Sequence, residues 1–392
     1  MKNVSVFFSL LLLSTQVFSQ NYDESKIPPY TLPNPLVTIS KKPVTSVSTW
    51  ENIRRQEILS LFENNVYGQM PKRFDSIQFK SVNTPGMVMG GKAYQRRAEI
   101  SVWRMGKMLK INLLMFIPSS AKKPTPVFLF INNRGLEQTD PTRKIQSEFW
   151  PAEMVIDSGY AIATFHVSDA APDNNDHYKE GALQLFPEQL TMENGMKAIG
   201  AWAWAASRVM DYFEREHLID AKHVFIVGHS RGGKAALWAG AQDRRFAMVF
   251  SNCSGNSGAA LSRRQIGETV KKINTTFPYW FCDNYKKYND NVAALPVDQH
   301  MLISLIAPRP VYTTNATKDV WADPKGSYIS IKNAEPVYAL YKKKSALPKT
   351  PPKVGVAVIA SPIGYHIREG EHDLTKFDWN NFIRFANYHF HK

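Results

Sequence analysis

His223-Val224-Phe225-Ile226-Val227-Gly228-His229-Ser230-Arg231-Gly232-Gly233-Lys234 is the stretch from which the fold can be read. It opens with a short apolar run, as a strand buried on both faces requires. Gly-x-Ser-x-Gly follows at 228–232, and residues 234–241 are small and helix-favouring. A serine on a sharp strand-to-helix turn is held in a strained backbone conformation, and the flanking glycines leave room for it. Its hydroxyl stands above the sheet with the helix N-terminus behind it. The backbone N–H of Arg231 can then donate to an oxyanion. The five-residue pattern alone arises often by chance; between a buried strand and a helix it marks Ser230 as a nucleophile.

Further runs of the same kind lie on both sides. They cover 126–132, 160–165, 246–250, 310–314 and, last, 354–359. Helical patterns fall between several of them. Residues 193–218 carry Trp202, Ala205, Val209 and Phe213 on one face, and 377–389 close the chain. Strands alternating with helices predict a mostly parallel sheet covered on both sides. Upstream, 80–117 alternates, as in Ala98-Glu99-Ile100-Ser101-Val102, which predicts antiparallel, half-exposed strands that make the sheet mixed. The expected architecture is a three-layer αβα sandwich of the α/β-hydrolase type, with a Pro-rich lead-in at 27–43 lying extended on the body.

A serine hydroxyl needs a base to take its proton. In this fold the order is serine, acid, histidine, so both partners lie downstream. Of the five histidines there, His389 and His391 fall in the C-terminal helix region, and His300 precedes the strand expected to carry the acid. His366 and His372 both follow the last apolar run, and the pattern favours His372, with Gly370 letting a loop bring it over the sheet. The acid should follow 310–314, where Asp319 and Asp323 are both candidates; either could instead cap the turn before Pro324. Spacing does not choose between them.

Lys2, the apolar run 4–13 and Ser14-Thr15-Gln16-Val17-Phe18-Ser19-Gln20 read as a secretory leader over 1–20, cut after Ser19 or Gln20. The run is too short for a stable membrane anchor, and no other stretch is long and apolar enough. Residues 21–392 are then one catalytic domain, secreted or periplasmic. The formal charge of +14 comes from scattered basic residues. With secretion, that argues against a nucleic-acid partner and allows either a solvated basic surface or attraction to an acidic polymer outside the cell. Cys253 and Cys282 could pair in an oxidising compartment, and neither sits in a metal-ligand cluster.

The chain resembles the glucuronoyl esterases of carbohydrate esterase family fifteen. The resemblance rests on Gly228-His229-Ser230-Arg231-Gly232-Gly233-Lys234, Leu261-Ser262-Arg263-Arg264, Gly267-Glu268-Thr269-Val270, Asn274-Thr275-Thr276-Phe277-Pro278-Tyr279-Trp280-Phe281, Leu295-Pro296-Val297-Asp298-Gln299-His300, Ala307-Pro308-Arg309-Pro310, Trp321-Ala322-Asp323-Pro324 and Gly364-Tyr365-His366. It implies hydrolysis of the ester between a glucuronic acid, often 4-O-methylated, on xylan and a lignin alcohol. By the same resemblance Ser230 is the nucleophile and His372 the base, and Arg231 completes the oxyanion hole. Lys234 and Glu268 would bind sugar hydroxyls, and Trp321 would pack on the sugar ring. No metal or cofactor is implied. The resemblance implies a glucuronoxylan or lignin–carbohydrate ester as the partner, and no nucleic acid, no membrane and a monomeric protein are expected.

Two departures stand out. Many members carry the acid in a Glu-Ser-Gly stretch, which here is Asn252-Cys253-Ser254-Gly255. The resemblance to other bacterial members then moves the acid to the later site, two positions before the tryptophan, and so selects Asp319. Asn132-Asn133-Arg134-Gly135 also replaces the family's usual Gly-Asn-His-Thr tract. The rival readings are an acetyl xylan or feruloyl esterase, and a glycan-binding relative with a silent triad.

Overall fold

The computed structural model describes residues 20–82 and 86–390. The expected leader, save Gln20, and His391 lie outside the described residues. Ten strands form one sheet: β1 Ser76–Val82, β2 Met87–Val88, β3 Ala93–Arg104, β4 Lys107–Pro118, β5 Thr125–Asn132, β6 Ala161–His166, β7 Ile219–His229, β8 Phe246–Asn252, β9 Val311–Ala316 and β10 Ile363–Arg368. Their order is β1-β3-β4-β6-β5-β7-β8-β9-β10, with β2 on β3. Pairing is antiparallel from β1 to β6 and parallel from β6 to β10.

Alternation along the central strands sorts side chains into two cores. Val127, Leu129 and Ile131 of β5 join one, with α1 (Ala198–Phe213), α2 (Arg231–Gln242) and α3 (Pro324–Leu340). Phe128 and Phe130 join the other, with Phe225, Phe250 and the Trp379, Phe382 and Phe385 side chains of α4 (Lys376–Phe390). Tight contact on the first face depends on missing side chains: a Cβ at Gly240 of α2 would meet Val249 Cγ2 at 2.3 Å.

The two antiparallel stretches and most of the apolar runs are strands, as expected. Three details differ. The helix within 193–218 is shorter, and it is buried nearly all round instead of on one face. The segment before it covers its outer side, with Trp202 Nε1 donating to Ala171 O at 2.8 Å. The expected last strand at 354–359 does not form. Gly355 turns at φ 81°, and Val354 and Val356 are about half exposed (49% and 51%). The last strand is instead β10, which holds His366 and Arg368. It closes on β9 because Gly364 has no side chain, since a Cβ there would meet Tyr312 Cδ2 at 2.1 Å. Cys253 and Cys282 do not pair; both are buried free thiols.

Candidate active site

Ser230 follows β7 and caps α2 at φ 55°, ψ −126°. That is a costly conformation for a residue with a side chain. The surroundings enforce it. Gly228 and Gly232 touch, so that a Cβ at Gly228 would lie 2.0 Å from Gly232 O. Ser230 N donates to Asn252 O at 2.8 Å, and Lys234 N donates to Ser230 O at 3.1 Å, which starts the helix.

Asp319 and His372 lie on loops that leave neighbouring strands. β9 and β10 run parallel, and their pairing continues past the strand ends. Thr317 N donates to Arg368 O (2.9 Å), Lys318 N to Gly370 O (3.0 Å) and Gly370 N to Thr317 Oγ1 (3.2 Å). Gly370 turns the second loop at φ 114°. The two loops then bring His372 Nδ1 to 2.6 Å from Asp319 Oδ2. Asp319 is buried, whereas the His372 side chain is 37% exposed. Asp323 is occupied elsewhere: it accepts from Gly326 N as the cap of α3 and pairs with Arg264.

His366 is buried in β10. Its Nε2 bonds Asp378 Oδ1 at 2.9 Å, and its Nδ1 meets Tyr312 Oη at 3.0 Å. Arg368 extends this network to the loop that carries His372. Its Nε donates to Asp378 Oδ2 (2.9 Å), and its other nitrogens donate to the carbonyls of Glu369, Glu371 and Asp373 around His372. Burial pushes the Asp378 carboxyl up, but His366 and Arg368 outweigh it and hold the group below its ordinary value.

The Ser230 hydroxyl makes no hydrogen bond to His372 in this conformation. Such contacts often tighten only when substrate is bound. His229 lies between the two stretches, its ring 4.6 Å from that of His372. Arg134 Nη2 approaches His229 Nε2 at 3.3 Å, and an arginine only donates, so the His229 proton sits on Nδ1, against Asn252 Oδ1 at 2.5 Å. Burial, and then the neighbouring His372, hold His229 well below the usual histidine range. It is a neutral spacer.

Arg231 is held at its guanidinium. Nε donates to Asp173 Oδ2, and Nη2 donates to Asn133 O at 3.0 Å. Asp173 in turn accepts from Tyr279 Oη and Trp280 Nε1, each at 2.9 Å. Lys234 is fully enclosed, with Nζ donating to Ser254 O (2.8 Å), Asn256 O (2.5 Å) and Glu268 Oε2 (2.7 Å). All three of its N–H groups are thereby used within the protein. Glu268 N donates to Trp321 O at 2.9 Å, so the three expected sugar-binding residues do cluster, and the half-buried Trp321 is the most exposed of them.

Two contributors escaped the sequence reading. Arg134 sits in the tract flagged as a departure. It reaches Asp373 Oδ1 at 2.7 Å and lies 4.1 Å over the Phe149 ring, which ties the loop after β5 to the base loop. Asp173 comes from a long connection with no motif around it. Among the described residues, Cys253, Asp319 and His372 form the one group with metal-ligand chemistry, their ligating atoms lying within 4.8 Å of one another. Burial, then Asp319, pushes the Cys253 thiol up.

Comparison with known proteins places this site in context. Residues 100–341 match a family model described as "Glucuronyl esterase, fungi". A carbohydrate esterase from an unknown prokaryotic organism is 38% identical over 99% of both chains. A glucuronoyl esterase structure from Solibacter usitatus superposes with TM-score 0.86 at 38% identity, over 93% of this chain and 99% of that one. A "promiscuous" family 15 esterase from a marine bacterial metagenome superposes equally well, with TM-score 0.86 and 38% identity over 95% and 100% of the two chains. A "4-O-methyl-glucuronoyl methylesterase 1" from Phanerochaete chrysosporium is 28% identical over 79% of this chain and 61% of its own length. The chain has the α/β-hydrolase fold and belongs to the glucuronoyl esterase family of carboxylic ester hydrolases.

Proposed function

We propose that the protein hydrolyses the ester between a glucuronic acid of xylan, plain or 4-O-methylated, and a lignin alcohol, through an acyl-enzyme. The observation that carries this reading is the 2.6 Å Asp319–His372 pair at the carboxyl ends of β9 and β10, beside a serine at φ 55°. Ser230 attacks the uronoyl carbonyl while His372 takes its proton. His372 then protonates the leaving alkoxide, and water repeats the sequence on the acyl-enzyme. Asp319 holds Nδ1–H and stabilises the imidazolium. The Arg231 backbone N–H and guanidinium stabilise the oxyanion, each donor contributing about 3 kcal/mol.

Glu268 and Trp321 meet the sugar. Lys234 acts through Glu268, whose charge and orientation it supports from below. The enzyme works as a secreted or periplasmic monomer after loss of the leader at 1–20, with 21–392 as one domain, and binds neither nucleic acid nor membrane. Among the described residues no helix is long and apolar enough to cross a membrane.

Ser230→Ala should abolish turnover of methyl glucuronate while leaving the fold intact; near-normal turnover would refute the assignment. The relative described as promiscuous favours a broader second reading that includes acetylated xylan and feruloyl esters. Rates on methyl glucuronate, acetylated xylan and methyl ferulate, measured side by side, separate the two.

A further inference from the structure

The amino ends of the parallel strands carry a second concavity. A groove of about 500 Å³ passes Lys222 of β7, Met248 of β8, and Pro310 and Pro362 just before β9 and β10. Roughly 25 Å of extended chain along β7 separates Lys222 from Ser230. The rim is cationic: Lys222 faces the run Lys342-Lys343-Lys344, and all four are exposed. No carboxylate lines the groove. Among the described residues none of the four is ion-paired, and three of them are consecutive in the chain.

The end of α3 favours a cation near its last turn, an effect that fades beyond it and does not call for three in a row. Backbone N–H groups of Lys342 and Lys343 already donate to Ala339 O (2.9 Å) and Tyr338 O (3.1 Å) at the end of α3. Like charges held together repel, and a bound anion relieves that repulsion. The floor includes Tyr388 and proline rings. Ring surfaces mixed with polar groups under a cationic rim suit a ligand with carboxylates on sugar rings. The rim also offers only point charges, without the arginine forks that favour phosphate.

We propose that this groove binds an acidic polysaccharide carrying free uronate carboxylates and so holds the enzyme on its polymer. The inference rests on the esterase reading in one respect: hydrolysis leaves such a carboxylate on the chain. The test is titration of oligoglucuronate into the wild type and K342E/K343E/K344E at low and high salt. Neutral xylo-oligosaccharide and single-stranded DNA serve as comparisons. The wild type should bind oligoglucuronate, with affinity falling at high salt. The triple variant should bind at least tenfold more weakly, with an unchanged melting midpoint and unchanged turnover of methyl glucuronate. Undiminished binding by the variant, equal binding of neutral xylan, or tighter binding of DNA would overturn the proposal. A wild type that binds but does not cleave methyl glucuronate would remove the esterase reading alone; one that cleaves but does not bind would remove the groove alone.

Discussion

Asp319 Oδ2 and His372 Nδ1 stand 2.6 Å apart although 53 residues separate them in the chain. The meeting is made by the sheet. β9 and β10 lie side by side in register from Val311 and Ile363 to Ala316 and Arg368, and hydrogen bonds between their exit loops carry that register to the two side chains.

Asp319→Asn should therefore lower kcat on the order of a thousand-fold or more, since an amide neither fixes the tautomer nor stabilises the imidazolium. Asp323→Asn should leave kcat nearly intact and cost about 1 kcal/mol or more through the weakened cap and Arg264 pair. Steady-state kinetics and thermal melts on both variants check this, and the opposite ranking would reassign the acid.

Arg368 holds three carbonyls around His372 while pairing with Asp378. Arg368→Lys keeps a charge for Asp378 but loses the fan of donors. We expect kcat to fall tenfold or more with KM little changed, because the loop of His372 loosens while the Lys234–Glu268 cluster, proposed to meet the sugar, is untouched.

Lys234 and Glu268 are both buried. Lys234→Met leaves a carboxylate without its partner in a dry site, a change worth about 3–5 kcal/mol in such settings. The melting midpoint should drop accordingly. A variant that melts normally and differs only in KM would mean that the ammonium serves the sugar and not the fold.

Cys253 lies beside both Asp319 and His372. A carboxylate introduced there can reach the imidazole. Asp319→Asn combined with Cys253→Glu should recover part of the activity that Asp319→Asn alone loses, as measured by kcat on methyl glucuronate.

Acid should destabilise the protein in a particular window. Burial, then His372, holds His229 well below the ordinary histidine value. The unfolded chain titrates its histidine near about pH 6.5. Below that pH the unfolded state gains a proton that the native state refuses, so the His229 contribution is present above the window and shrinks as pH falls through it. Melting curves from pH 8 to 5 should show the decline, and His229→Asn should flatten it.

Much of this was legible in the chain before any coordinates. The buried runs and the glycine-flanked Ser230 are local features, and local features imply a parallel sheet with an elbow. The last strand was not legible. Its His366 and Arg368 look like loop residues until Asp378, on a helix further on, neutralises and bonds them. Apolar residues 354–359 made a better strand by pattern, yet Gly355 turns Val354 and Val356 toward solvent and leaves only a single bridge, Val358 to Tyr365. Asp173 and Arg134 could not be read for a related reason: their importance lies in what they touch across long connections.

The order of parts along the chain has a consequence for biosynthesis. The strained serine belongs to the middle of the sheet, whereas Asp319 and His372 hang from β9 and β10, at one margin. On the proposed mechanism, a nascent chain can bend Ser230 into place before either residue exists to activate it, so a copy that stops short of β9 and β10 should carry the shape of the elbow without its reactivity.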